Sequence, residues 1–368
     1  MIDVVRVGIL TFHNANNYGA VLQAYALQES LKSISEKVVV EVIDYYSDGV
    51  VKQRSICKMA KSQGILSALV HYPFLKRRVR HIDDFCNMHL NLSPKARDHR
   101  ALTAIEKQYD IIISGSDQIW NKKWNGNDSA FLQSFHTNNQ KKVSYAASFG
   151  IDHLPESWIS EYHDYLCQFR HLSVRETSGK RILCEMGLAS AVHVDPTLLL
   201  EVSRWDTICK KPSMKVDYAL VFLVPFDREL LLDAYDIAEK RNLKLVVVSK
   251  SLKKVKGKNA GFSSVEEIVG LFKYSKVIIT NSFHGTALSM IFRKDLLVKL
   301  SNPRGYNIRA KNLLALCGVI DCNNENDETI MISASSWNNN REKLDHSIHA
   351  SKEYLMNVIA ECFKSKEA

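Results

Sequence analysis

The feature that most constrains this chain is a repeated arrangement: a short apolar run ends in a polar loop, and a helical pattern follows. "VVRVGILTF" (Val4 to Phe12) leads into the loop "HNANNYG", after which Val21, Leu22, Tyr25, Ala26 and Leu31 recur at helical spacing. "KVVVEVIDY", "YDIIISGSDQIWN", "KKVSYAASFG", "HLSVRETSGKRIL" and "SAVHVDPTLLL" repeat the strand-then-polar arrangement. After Pro212 the rhythm restarts. "DYALVFLV" reads as a strand, "DRELLLDAYDIAEKRN" as a helix and "LKLVVVS" as a strand. "SVEEIVGLFKYS" follows as a helix opened by Ser264 with Glu267 three residues on, a capping-box spacing. "KVIIT", "NSFHGTALSMIF" and "DLLVKL" read as strand, loop-to-helix and strand, and a last helix is expected over about Trp337 to Phe363.

Apolar strands that alternate with helices make βα units and parallel sheets. Two such series, split near residues 201–216, predict two doubly wound, Rossmann-like α/β domains with a cleft between them. The boundaries are read as 1–200 for the N-terminal domain and 201–336 for the C-terminal domain. Residues 337–368 form a C-terminal helix free to pack back on the first. A chain of 368 residues with 46% hydrophobic content has the material for two cores. In such sheets the functional loops sit at the carboxyl ends of the strands.

No apolar run reaches the roughly 18 residues that span a bilayer, and "MIDVVRVGIL" has no basic region ahead of a long apolar core. A cytoplasmic protein is expected. The eight cysteines form no CxxC pair, so reduced, structural thiols are expected. The net charge of +9 suits phosphorylated ligands or an anionic membrane face. Lys and Arg are spread along the chain without a recognition-helix or RNA-binding signature, so no nucleic-acid partner is expected.

Neither GxGxxG, GxxxxGK[ST] nor HExxH occurs. His346 and His349 share a helix face but have no companion ligands, so no metal site is expected. The candidate residues lie in the strand-end loops. "FHNANNYG" offers His13, Asn14, Asn16, Asn17 and Tyr18 at a helix start, suited to an anion or sugar hydroxyls or to simple capping. "SGSDQIWN" offers Ser114, Ser116, Asp117 and Gln118, where a carboxylate can serve as acid, base or hydroxyl ligand, or as a cap. "SVRE" sets Arg175 at a strand end, able to grip an anion in bidentate fashion or to make a surface pair with Glu176. Asp195 precedes Pro196, as turn chemistry allows. "TNSFHGTALS" puts Ser282, His284 and Gly285 at a helix start, a cradle for phosphate or carboxylate.

Taken in order, "GILTFHNANNYGAVLQAYAL", "ISGSDQIWN", "SYAASFG", "SVRE", "VDPTLLL" and "TNSFHGTALS" resemble the polysaccharide pyruvyl transferase family over roughly residues 7–300. The resemblance implies a GT-B-like arrangement with the active site between the domains. It implies transfer of the pyruvyl unit of phosphoenolpyruvate onto two hydroxyls of a sugar, giving a pyruvate ketal and phosphate without nucleotide, metal or other cofactor. It points to Arg175, Ser282, His284 and Gly285 as donor contacts. His284, Asp117 and Arg175 are the expected catalytic residues, with Asn16, Asn17, Tyr18, Asp117 and Gln118 toward the acceptor. Ser282 departs from several members, which have arginine there; Arg293, Arg304 or Arg309 are candidates to supply that charge.

The implied setting is bacterial capsule or exopolysaccharide repeat-unit synthesis. The sugar would be carried on a lipid diphosphate such as undecaprenyl diphosphate at the inner face of the cytoplasmic membrane. "ILSALVHYPFLKRRVR" (Ile65 to Arg80) suits peripheral docking there, or is an ordinary packed helix. A nucleotide-sugar glycosyltransferase of the same architecture and a non-catalytic glycan-binding relative are the alternatives.

Overall fold

The computed structural model describes residues 4–55, 64–136, 138–250, 255–300, 308–320, 329–338 and 341–367. The chain divides into two compact units. Unit 1 comprises residues 1–58, 86–200 and 346–368; unit 2 comprises 59–85 and 201–345.

Unit 1 is built on strands β1 (Val5–Leu10), β2 (Val38–Val42), β3 (Ile111–Ser114) and β4 (Lys142–Ser144), all parallel in the order β2-β1-β3-β4. Parallel bridges from Val143 to His171 and from Ala147 to Val174 carry the run onward to the short pair β5 (Ser173–Val174) and β6 (Ala191–Val192). The central strand β3 is buried at every residue, as a strand covered on both faces must be. The helix Tyr18–Lys32 is buried along nearly its whole length, and Trp120, Phe131, Phe149 and Tyr162 fill the core alongside. The chain leaves β1 for one neighbour, β2, and returns to the other, β3. The C-terminal ends of β1 and β3 therefore frame a topological switch point, the usual place for a ligand in an open α/β sheet.

Unit 2 holds β7 (Tyr218–Leu223), β8 (Lys244–Ser249), β9 (Lys258–Asn259), β10 (Val277–Thr280), β11 (Asp295–Lys299) and β12 (Thr329–Ile332), in the order β12-β11-β10-β7-β8-β9. All pairings are parallel except that of β12, which closes the edge antiparallel to β11. Here the switch point lies between β7 and β10. The expected capping box is present: Ser264 accepts from the Glu267 amide and Glu267 from the Ser264 amide at the start of the helix Val265–Tyr274.

Three sequence expectations need correcting. Residues 59–85, read with the first domain, cluster with unit 2. In the helix Ile65–His89, Arg78 is buried and donates to the carbonyls of Gly261 (2.7 Å) and Ser249 (2.9 Å), and Phe74 rests 4.8 Å from the Phe262 ring. The last helix spans Arg341–Glu367, and Trp337 lies in a preceding 3-10 turn, its indole donating to the Lys294 carbonyl in unit 2. The strands β9 and β12 and the helices His99–Glu106, Glu156–Leu166 and Ile308–Leu316 were not anticipated. From residue 346 the last helix clusters with unit 1, where Ser351 Oγ accepts from the Val194 amide and His171 pairs with Glu361. Among the described residues no helix is long and apolar enough to cross a membrane.

Candidate active site

In unit 1 the loops at the switch point are tied together: Thr11 Oγ1 donates to the Ser116 carbonyl (2.8 Å) and accepts from Gln23 Nε2 (2.9 Å). Not every polar residue of the first loop is open to a ligand. His13 Nε2 contacts Asp44 Oδ1 at 3.0 Å, and Asn14 Nδ2 donates to the Tyr45 carbonyl at 3.0 Å. Asn17 caps the helix Tyr18–Lys32, its side-chain oxygen accepting from the Gly19 amide at 3.1 Å, and Tyr18 opens that helix as a buried residue. Asn16 differs. It is 8% exposed, and the described residues give its Oδ1 no hydrogen-bond partner. Of the residues expected toward an acceptor, Asn17 thus acts as a cap, while Asn16 keeps an acceptor oxygen at a helix start.

Asp117 follows β3 with φ at +73°, a left-handed conformation costly for a non-glycine residue. Ala146, after β4, is left-handed too, at +48°. Such strain concentrates where geometry is imposed by the surroundings. Asp117 Oδ1 accepts from the Gln118 amide at 2.8 Å, and Gln118 Oε1 faces Asn121 Nδ2 at 3.4 Å.

Arg175, at the end of β5, is the centre of this half. Its side chain is 2% exposed and meets carboxylates on three sides: Nη1 to Asp195 Oδ2 at 2.8 Å, Nε to Glu176 Oε2 at 3.7 Å and Nη2 to Asp117 Oδ1 at 3.8 Å. Burial opposes its charge, but the three carboxylates outweigh it and hold the guanidinium pKa above its ordinary value. The Arg–Glu pair read as a surface feature is therefore buried. An anionic donor expected at Arg175 would meet three carboxylates already around the guanidinium. One guanidinium among three carboxylates leaves a local excess of negative charge, which repels a phosphate.

Asp195 does more than make a turn. Its Oδ1 accepts from the Thr197 amide (3.0 Å) and Oγ1 (2.8 Å), and its Oδ2 accepts from Ser116 Oγ (3.1 Å) as well as Arg175. Glu176 Oε1 accepts from Ser148 Oγ at 2.6 Å. Glu176 and Asp195 were given no more than pairing and turn roles from the sequence, although each is a carboxylate within three residues of the end of a strand, β5 or β6. Behind them His193 shares a hydrogen bond with Ser173 Oγ (2.7 Å) and stacks on Tyr145, with Tyr354 4.4 Å away. Burial pushes the His193 pKa down to about 4.

In unit 2, Asn281 joins the two switch-point loops. Its Oδ1 accepts from the Val224 amide (2.8 Å) and its Nδ2 donates to the Pro225 carbonyl (2.9 Å). Thr280 Oγ1 donates to the Phe222 carbonyl (2.6 Å) and accepts from the Ser282 amide (3.0 Å). The helix Phe283–Ile291 then begins, and Ser282 makes no side-chain cap hydrogen bond. Gly285 is required here: a Cβ would lie 2.3 Å from Thr280 Oγ1. His284 is buried in the first turn, its ring 5.1 Å from that of Phe283, and the Arg309 guanidinium stands 5.7 Å from the Phe283 centroid. Arg309 is thus the candidate cation brought to this helix start. Arg293 follows the other end of the nine-residue helix, about 13 Å along its axis, and Arg304 lies outside the described residues. The two units differ in charge. Unit 2 carries 28 Lys and Arg against 19 Asp and Glu, a net +9, whereas unit 1 carries 21 of each. Among the described residues no three His, Cys, Asp or Glu side chains gather as a metal site.

The family model described as polysaccharide pyruvyl transferase matches residues 17–298. No curated protein matches the chain in sequence. A solved structure from Listeria monocytogenes, assigned as a UDP-N-acetylglucosamine 2-epimerase, superposes with a TM-score of 0.51 at 11% identity, over 99% of this chain and 96% of that one. UDP-GlcNAc 2-epimerase from Neisseria meningitidis, bound to UDP-GlcNAc, gives 0.49 at 8% identity, over 98% and 100%. E. coli heptosyltransferase WaaC with ADP gives 0.37 at 11% identity, over 82% and 90%. At such identities the likeness speaks to fold alone, and the fold is of the GT-B class, α/β with parallel sheets.

Proposed function

The chain belongs to the polysaccharide pyruvyl transferase family, and from that membership we propose that it moves the pyruvyl unit of phosphoenolpyruvate onto two hydroxyls of a sugar. The observation that carries this reading is the family match over residues 17–298, which contains the switch-point loops of both units, with Asp117 and Arg175 in one and His284 in the other.

Ketal formation from an enol phosphate begins with a proton delivered to the methylene carbon, which becomes a methyl group. A sugar hydroxyl attacks the adjacent carbon and gives its proton to a base. The carbon–oxygen bond to phosphate then breaks, inorganic phosphate leaves, and the second hydroxyl closes the ring with loss of its own proton. The donor is a small polyanion, so its natural partner is the cationic unit 2. There Ser282, His284 and Gly285 open a helix whose first amides and positive dipole end suit phosphate or carboxylate. Arg309 takes the place of the arginine that Ser282 replaces. His284 is the proton donor in this reading, since an imidazolium beside phosphate is kept charged.

The acceptor goes with unit 1. Carboxylates and the unpartnered amide oxygen of Asn16 accept hydrogen bonds from sugar hydroxyls in this reading, with Asp117 as the base, Tyr18 and Gln118 as further acceptor contacts, and Asn17 capping its helix. Arg175 serves as a positioning residue that holds Asp117, Glu176 and Asp195 in place rather than as a donor clamp. No nucleotide or metal enters the scheme. The acceptor of this reading is a capsule or exopolysaccharide repeat unit on a lipid carrier.

The test uses thermal unfolding and phosphate release. Phosphoenolpyruvate should raise the unfolding temperature, and UDP-sugars should not. Mixing it with candidate glycans should release phosphate and add the pyruvyl mass to one of them. Protection by a UDP-sugar instead would favour a nucleotide-sugar transferase. Protection by phosphoenolpyruvate without release on any glycan would favour a binding protein.

A further inference from the structure

We propose that unit 2 docks on an anionic lipid bilayer surface through the outward half of its helix Ile65–His89. In the first ten residues of this helix four large apolar side chains face water: Ile65 is 71% exposed, Leu69 57%, Val70 62% and Phe74 39%. At 100° per residue they share one half of the helix surface with Lys76, Arg77 and Arg80, which are exposed as well. The opposite half, with Ala68, Leu75, Arg78 and Ile82, is buried. Its anchoring is specific. Arg78 donates to the carbonyls of Ser249 and Gly261, so the outward half is held on a fixed platform. The apolar residues precede the basic ones, which gives one face an end that can dip into acyl chains and an end that meets headgroups.

The chemistry of the occupant follows from charge. Unit 2 bears the chain's whole net charge, +9 against zero for unit 1, and juxtamembrane cations are drawn to anionic headgroups. Arg80 pairs with Asp84 only at 3.8 Å across an exposed i,i+4 step, a weak competitor for a phosphate. The inference does not depend on what the protein transfers. Arg78, though part of the same basic run, takes no part in docking because it is committed inside the unit.

The experiment is sedimentation of the full chain with phosphatidylcholine vesicles, with and without phosphatidylglycerol. Binding is expected only to the anionic vesicles, and it should fall as salt is raised. Lys76→Glu with Arg77→Glu and Arg80→Glu, and separately Leu69→Asp with Val70→Asp, should each weaken it by about tenfold or more. The unfolding temperature should be unchanged in both, because the altered side chains are exposed. No sedimentation with anionic vesicles, or equal sedimentation of wild type and both variants, overturns the proposal. So does a dimer in light scattering that Leu69→Asp with Val70→Asp abolishes, since the face then belongs to a second copy.

Discussion

Both units are open parallel sheets with polar loops at a switch point, yet they treat charge in opposite ways. Unit 1 is neutral overall and buries its central cation, Arg175, among three carboxylates. Unit 2 holds a net +9 and presents His284 in the first turn of a helix that Ser282 leaves without a side-chain cap. A buried ion cluster of several strands fixes geometry, whereas an uncapped helix start in a cationic unit is suited to bind an anion. The same fold can therefore build a rigid cluster of carboxylates in one unit and a positive helix start in the other. Arg175 should matter first for folding, and His284 first for turnover.

The largest expected effect breaks the comparison at Arg175. Arg175→Ala leaves Asp117, Glu176 and Asp195 buried around no cation, which costs on the order of 3–5 kcal/mol. A drop of many degrees in unfolding temperature, with loss of activity following the loss of fold, is the expected result. An Arg175→Ala protein of native stability that no longer binds phosphoenolpyruvate would restore the donor-clamp role.

Next comes His284. His284→Ala should lower turnover at least about a hundredfold, close to 2.7 kcal/mol of transition-state stabilisation. The readout is phosphate release at saturating phosphoenolpyruvate. Turnover within a few-fold of wild type refutes the assignment and would leave unit 2 as a binding platform.

How far the sequence foretold this arrangement depends on the range of each interaction. Capping of the helix Val265–Tyr274 was legible because Ser264 and Glu267 are three residues apart. So were the strand-end loops, whose polar residues directly follow apolar runs. The role of Arg175 was not legible, because it needs the ends of β3, β5 and β6 to converge, and Asp117 reaches it in a left-handed conformation that no pattern announces. The membership of residues 59–85 in unit 2 was hidden for the same reason. It depends on Arg78 reaching carbonyls 171 and 183 residues away. His13 and Asn14 looked as available as Asn16, and only the partners supplied by Asp44 and Tyr45 separate them.

The smallest of the three effects concerns acid and again divides the units. Burial pushes the pKa of His136 and of His193, both in unit 1, down to about 4. His136 lies against Glu106, whose own pKa burial raises, so the two respond to pH in opposite senses. His193 is the clearer probe. Below the ordinary value near 6.5 the unfolded chain binds a proton that folded His193 refuses. Its contribution is therefore complete above pH 6.5 and lost as the pH falls toward 4, amounting to roughly 2 kcal/mol by pH 5. Amide exchange followed by mass spectrometry should show protection fading in peptides spanning 145–194 before those of β7, β10 and β11 as pH drops from 7.5 to 5. In His193→Phe, which keeps a ring between Tyr145 and Tyr354, that acid sensitivity should shrink even though the Ser173 contact is lost. An equally steep acid response in His193→Phe would move the cause elsewhere in unit 1. Earlier loss of protection in unit 2 would reverse the contrast between the two units.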